Sequence, residues 1–109
     1  LKEIGRGLER QYGVHVLAQG CDLSQRDSAQ KLFETLVDLN PKIEFLVNNA
    51  GFGEVEDFIS ENLVQIHEMI QLNMTSLTDL CRLYGAQFAD RASGSILNVA
   101  STAAYQPGP

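Results

Sequence analysis

Residues 43–54 read IEFLVNNAGFGE, a short, mostly apolar run that stops at two amides, an alanine and a glycine. The run IEFLV (43–47) suits a strand buried in a parallel sheet. In such sheets helices cover both faces and the alternation of apolar and polar residues is lost. NNAGFGE is then a loop. Ala50, Gly51 and Gly53 remove side-chain bulk, so a flat ligand can come close to the backbone there.

Two further strands are expected on either side of this one. VHVLAQG (14–20) combines β-branched residues with alternation, and SILNVA (95–100) repeats the pattern. The intervening stretches are helical. Leu1, Ile4, Leu8 and Tyr12 form one apolar stripe, with Gly13 placed to end the helix. Ser24 is a candidate N-cap, with Asp27 adding negative charge to the first turn. Ala29, Leu32, Phe33, Leu36 and Val37 continue that helix, and Asn40-Pro41 ends it. Ser60 is the expected cap of a third helical stretch, whose seam runs Leu63, Ile66, Ile70, Asn73, Leu77, Leu80, Tyr84 and Phe88. One straight helix over 61–90 would measure ~45 Å and overshoot strands of about 17–20 Å, so a bend or break is expected near Asn73. Residues 91–94 read as a turn. The order helix, strand, helix, strand, helix, helix, strand predicts an α/β fold with a parallel sheet wrapped by helices.

The chain has 109 residues, enough for one small domain. Hydrophobic residues make up 44% and charged residues 20%, an ordinary globular balance. Eight Lys and Arg against 14 Asp and Glu give a net charge of −6. An acidic chain without basic runs is a poor partner for nucleic acid or an anionic membrane surface. No apolar run approaches the roughly 18 residues of a membrane span. Cys21 and Cys81 form no CxxC pair, so neither a disulfide framework nor a zinc site is expected, and a reducing, cytoplasmic setting fits best. The chain opens at Leu1 in the middle of a helical pattern and closes on Pro107-Gly108-Pro109. The expectation is an internal piece of a longer protein.

In an open α/β sheet, ligands bind beyond the carboxyl ends of the strands. Three polar signals stand at such ends: Asp22, then Asn48-Asn49-Ala50-Gly51, then Ser101. Caps and turns favour the same residue types, but three signals along one edge favour function. Asn73 lies on an apolar seam. A buried amide must find partners, either as a packing group at a helix break or as a holder of a water or a carbonyl at an active site. Ser101 has no GxSxG elbow around it, and His15 and His67 read as structural or exposed, so Ser101 is a hydrogen-bond donor and not a nucleophile. Gly5-Arg6-Gly7 precedes a strand where a dinucleotide fingerprint would follow one. No carboxylate and imidazole cluster suggests a metal.

Asp22-Leu23 after a strand, FLVNNAG (45–51), LNMTS around Asn73 and SILNVAS (95–101) together resemble the short-chain dehydrogenase/reductase family, single-domain Rossmann oxidoreductases. The spacings agree: 27 residues from Asp22 to Asn49, 24 to Asn73 and 28 to Ser101. The resemblance covers nearly the whole chain. It implies that residues 1–109 are the central part of one NAD(P)-binding Rossmann domain, with NAD or NADP as cofactor and a small alcohol or carbonyl substrate. It also implies a homo-oligomeric parent. By similarity Asp22 would bond the adenine amino group and Leu23 would pack near that ring. Asn49, Ala50 and Gly51 would line the adenosine ribose and the central strand. Asn73 would hold a water of the proton relay through its bent helix, and Ser101 would bond the substrate oxygen.

Several family features fall outside this sequence. They are the Gly-rich phosphate loop, the residue that selects NAD or NADP, and the Tyr-x-x-x-Lys pair, whose Tyr lies about a dozen residues past the Ser. Tyr105 is too close to Ser101 and has no Lys after it. In the family's strand order 3-2-1-4-5 this chain holds places three, four and five, which leaves strand 14–20 without a neighbour. The chain alone is therefore expected neither to fold stably nor to catalyse. The alternative for the parent is a non-catalytic NAD(P)-binding or regulatory protein of the same fold.

Overall fold

The computed structural model describes residues 1–39, 42–54 and 57–105. The expected helix end at Asn40-Pro41 and the closing Pro107-Gly108-Pro109 lie outside these residues. In chain order the elements are helix α1 (Lys2–Tyr12), helix α2 (Ser28–Leu39), strand β1 (Phe45–Asn48) and helix α3 (Leu63–Ile70). A π-helical turn (Gln71–Ser76), helix α4 (Leu77–Asp90), strand β2 (Ser95–Asn98) and a 3-10 turn (Thr102–Ala104) complete the list.

β1 and β2 pair in parallel, with Phe45 opposite Ser95 and Asn48 opposite Asn98. The crossover between them is the α3–α4 stretch, as a parallel pair requires. Side chains alternate across the sheet. Leu46 packs toward a core of Ala29, Leu80, Tyr84 and Phe88, supplied by α2 and α4. Phe33 meets Tyr84 edge to face at 5.1 Å. Phe45, Val47, Leu97 and Val99 point the other way and stay exposed.

The expected bend near Asn73 takes the form of the π turn. Ile70 and Leu77 on either side keep right-handed helical geometry, so the long helix continues through it. At the start of the chain, Gly13 ends α1 in the left-handed conformation that glycine adopts without strain, at φ 64°. Between α4 and β2, the turn 91–94 places Ala92 at φ 48° and Gly94 at φ 134°.

Three expectations are corrected. Residues 14–20 form no strand. A strand exists through its ladder, and no described strand pairs with this segment. Val16 N–H is instead taken by the Glu9 carboxylate at 3.0 Å, and Val16 packs on Gly5, where a β-carbon would sit 3.0 Å from its methyl. Ser24 does not cap α2. Asp27 stands at φ 62°, outside helical space, so the helix starts only at Ser28. Ser60 does not cap α3 either. Its hydroxyl and N–H both turn back to the Asp57 carbonyl, and Asn62 caps the helix by accepting from Val64 N–H at 2.9 Å.

Candidate active site

The loops leaving β1 and β2 and the π turn enclose an open cleft of about 760 Å³. Asn49, Ala50, Gly51, Asn73 and Ser101 all line it. Five of the seven residues marked in the sequence are thus brought together. Asp22 and Leu23 are not among them.

The cleft owes its shape to Asn73. Its Nδ2 donates to the Phe52 carbonyl at 2.7 Å, and its Oδ1 accepts from Phe52 N–H at 3.2 Å. The opposite amide orientation would set donor against donor and acceptor against acceptor, so chemistry fixes this one. Both polar atoms of the side chain bond one residue of the loop after β1. That answers the sequence reading of a buried amide that must find partners. Gly51 lets the loop come this close: a β-carbon there would sit 3.2 Å from Asn73 Oδ1.

Ser101 follows β2 in an extended conformation and heads the 3-10 turn. Its Oγ accepts from Ala103 N–H at 3.1 Å. Among the described residues its hydroxyl hydrogen has no acceptor, so it can donate to a ligand oxygen. Tyr105 is 87% exposed and does not line the cleft. His67 is exposed, and exposed His15 lies 3.4 Å from Glu9. Among the described residues no group of three or more His, Cys, Asp or Glu could hold a metal ion, and no helix is long and apolar enough to cross a membrane.

Asp22 and Leu23 stand at the start of the α2 turn. The Asp22 carboxylate accepts from the Ser24 hydroxyl at 2.6 Å, from Ser24 N–H at 3.0 Å and from Gln25 Nε2 at 3.3 Å. The Ser24 bonds, hydroxyl first, hold its carboxyl below the ordinary aspartate value. The group remains an exposed, ionised acceptor. Leu23 packs against the core, and its carbonyl accepts from Ser76 Oγ at 2.7 Å.

Asn98, which the sequence reading did not single out, also lines the cleft, and it pairs with Asn48 of the strand-end signal. Asn48 and Asn98 end the two strands in register, and Asn48 Nδ2 donates to Asn98 Oδ1 at 2.8 Å. The same amide meets Cys81 Sγ of α4 at 3.3 Å. This partly buried polar bridge ties both strand ends to the helix just before the chain turns toward Asn49 and Ser101. The signal for it was present: both apolar runs close on an Asn.

A family model described as short chain dehydrogenase matches residues 1–109. The chain is 38% identical over 86 residues to 2-dehydro-3-deoxy-D-gluconate 5-dehydrogenase of Bacillus subtilis, covering 76% of this chain and 31% of that protein. It is 33% identical over 113 residues to very-long-chain 3-oxoacyl-CoA reductase-B of Danio rerio, covering 100% of this chain and 36% of that protein. Among solved structures, a short-chain dehydrogenase from Sphingobium yanoikuyae in complex with NADPH superimposes with a TM-score of 0.88 at 28% identity, covering 98% of this chain and 41% of that one. The chain thus spans about a third of the length of the curated relatives it matches.

Proposed function

Because the chain belongs to the short-chain dehydrogenase family, we propose that it forms the central part, residues 1–109, of one NAD(P)-binding Rossmann domain in an oxidoreductase. That enzyme moves hydride between NAD or NADP and a small alcohol or carbonyl substrate. The observation that carries this reading is the convergence of Asn49, Ala50, Gly51, Asn73 and Ser101 on one cleft at the carboxyl ends of the parallel strands.

The residues present fit such a cofactor. The floor of the cleft is backbone with little side-chain bulk, and a flat ring or ribose can lie against Ala50 and Gly51. Asn49 offers an exposed amide beside them. Asp22 offers an ionised acceptor for an adenine amino group, with Leu23 beside it. The nicotinamide, when bound, supplies or accepts the hydride. Ser101 holds the substrate oxygen through its free hydroxyl hydrogen. The Asn73 side chain holds Phe52 and keeps one further donor and one further acceptor position, so a water can be held by it or by the main chain of the turn. In a π turn i→i+5 bonding displaces the carbonyls from the regular ladder. Homo-oligomerisation and a cytoplasmic setting belong to the same proposal.

The test uses the full-length protein, NADH and NADPH, and a panel of alcohols and carbonyl compounds. Binding of at least one cofactor and turnover of a panel member are expected. Ser101→Ala should then lower kcat/KM by about 10²–10³, the scale for removing a donor to a developing oxyanion, with cofactor affinity unchanged. Binding without any turnover would favour the non-catalytic reading. Binding of neither cofactor would overturn both.

A further inference from the structure

We propose that Ser76 is a positioning residue for the adenine end of the cofactor site, acting through the main chain of Leu23. The inference rests on the cofactor reading above and names a residue that reading does not use.

Ser76 is fully buried, at 0% exposure. Its Oγ donates to the Leu23 carbonyl at 2.7 Å and accepts from Gln71 Nε2 at 3.2 Å. A hydroxyl has one hydrogen to give. Here Gln71 occupies an acceptor position, which leaves that hydrogen directed at Leu23. Both residues belong to the π turn, so the pair is set by the same local geometry.

The bond matters because of where it runs. Residues 13–22 have no ladder of their own. The other hydrogen bonds of residues 13–27 stay within that stretch or go to α1 and α2. Among the described residues, Ser76 to Leu23 is the single hydrogen bond that joins residues 1–39 to residues 42–105. Apolar packing also joins the two parts, through Ala29, Leu23 and Phe33 against α4. Packing sets a distance but allows sliding, whereas a short bond to a carbonyl fixes the register of one residue.

The same turn acts on the other half of the cleft. Asn73, three residues earlier, holds the Phe52 main chain and so the loop after β1. One π turn therefore grips both loops against which the proposed cofactor lies. Asn73 sets the ribose side and Ser76 the adenine side. A regular α-helix over the same residues would rotate these two positions relative to each other, and this gives the turn a physical purpose.

The test compares ligands that contain adenine with one that does not. In the full-length protein, Ser76→Ala should raise the Kd for ADP-ribose and for the preferred dinucleotide about tenfold. The Kd for reduced nicotinamide mononucleotide should stay within about twofold, as should kcat at saturating cofactor. Gln71→Leu should shift the same ratio in the same direction by a smaller factor. Thr78→Ala serves as the control, because the Thr78 hydroxyl bonds only the Met74 carbonyl of its own helix; it should leave every ligand unchanged. Equal weakening of the mononucleotide and the adenine ligands would overturn the proposal, and so would unchanged binding with a lowered melting temperature. If Ser76→Ala cannot be recovered folded, Gln71→Leu decides by the same ratio. Failure of the wild-type protein to bind either dinucleotide would overturn the cofactor reading itself, a result distinct from all of these.

Discussion

Asn73→Asp changes one atom, Nδ2 to oxygen, and so turns the contact with Phe52 into a pH-dependent one. The Oδ1 bond from Phe52 N–H survives. The other oxygen now faces the Phe52 carbonyl from about the 2.7 Å of the present bond. Ionised, the introduced carboxyl loses a hydrogen bond and sets two acceptors against each other. A partly buried group stripped of its partner costs about 1–3 kcal/mol. Protonated, it donates to the carbonyl and restores the pair. The folded state thus favours the protonated form, and the carboxyl's folded pKa lies above its unfolded value of about 3.9. The folded protein binds more protons than the unfolded one between these two values, so the variant loses stability relative to wild type as pH rises through that window. The deficit should be near zero at about pH 4 and full at neutrality. For a domain of 150–250 residues each kcal/mol shifts the melting temperature by about 2–4 °C, giving a deficit of roughly 2–12 °C at pH 7. Thermal melts of the full-length variant and wild type, in parallel from pH 4.5 to 8, measure it. Asn73→Ala should show a deficit that does not vary with pH. A deficit for Asn73→Asp that is also independent of pH, or absent, would refute the pairing with Phe52.

Gly94→Ala should be severely destabilising in the full-length protein, by about 3 kcal/mol or more: the new β-carbon would lie 2.3 Å from Phe88 Cγ in the core, at a φ of 134° that only glycine adopts readily. Chemical denaturation measures it, and a change under 1 kcal/mol would contradict the packing of Phe88. Ser24→Ala removes the largest cause of the lowered Asp22 pKa, so the Asp22 carboxyl should titrate higher by NMR, closer to the ordinary aspartate value. The sign for stability follows: a lowered folded pKa contributes above the unfolded value and is lost as pH falls through the folded one. The variant should accordingly show less acid-dependent loss than wild type. The 109-residue chain by itself should give no cooperative transition in a circular-dichroism melt; a sharp two-state melt would refute that expectation.

Much of the fold could be read from local signals. Gly13 ends a helix because a left-handed residue is needed there, and the sequence supplies glycine. The π turn was legible as a polar Asn on an apolar seam together with a helix too long for its sheet. Strands β1 and β2 were legible as short, mostly apolar runs, although the sequence reading carries the second on to Ala100 where the structure ends it at Asn98. The failures lie where local signals compete or where a partner decides. Ser24 and Ser60 are both good caps by type. Asp22 captures the first, and the second folds back on Asp57. Which of several Ser, Asp and Asn residues wins is set by backbone geometry a few residues away, and type alone does not encode it. The same holds for the site. Asn49, Ala50, Gly51, Asn73 and Ser101 were readable as strand-end and seam residues. Ser76 was not, because a small residue on a helical seam looks the same whether it fills space or holds a carbonyl 53 positions away.

Residues 14–20 carry β-branched residues and alternation, yet they form no strand. Propensity for a sheet is largely a measure of fitting against neighbouring strands, and this segment has none among the described residues. The rest of the chain shows the same shortage. A compact protein of this mass exposes about 6,000 Å², whereas this one exposes 8532 Å². Its radius of gyration is 16.3 Å, against about 13 Å expected for a compact domain of this length. Much of the excess is apolar: Phe45, Val47, Leu97 and Val99 line one bare face of the two-stranded sheet. A sheet face of this composition requires a covering layer. The hydrogen bonds that brace the cleft do not depend on that layer, since Asn48, Asn98, Phe52 and Asn73 are all paired within the chain. The segment of Asp22 and Leu23, proposed to hold the adenine, is different, being joined to the rest by packing and one hydrogen bond. Substitutions that loosen this chain should therefore disturb Asp22 and Leu23 before they disturb Ser101, and cofactor affinity should fail before the chemistry does.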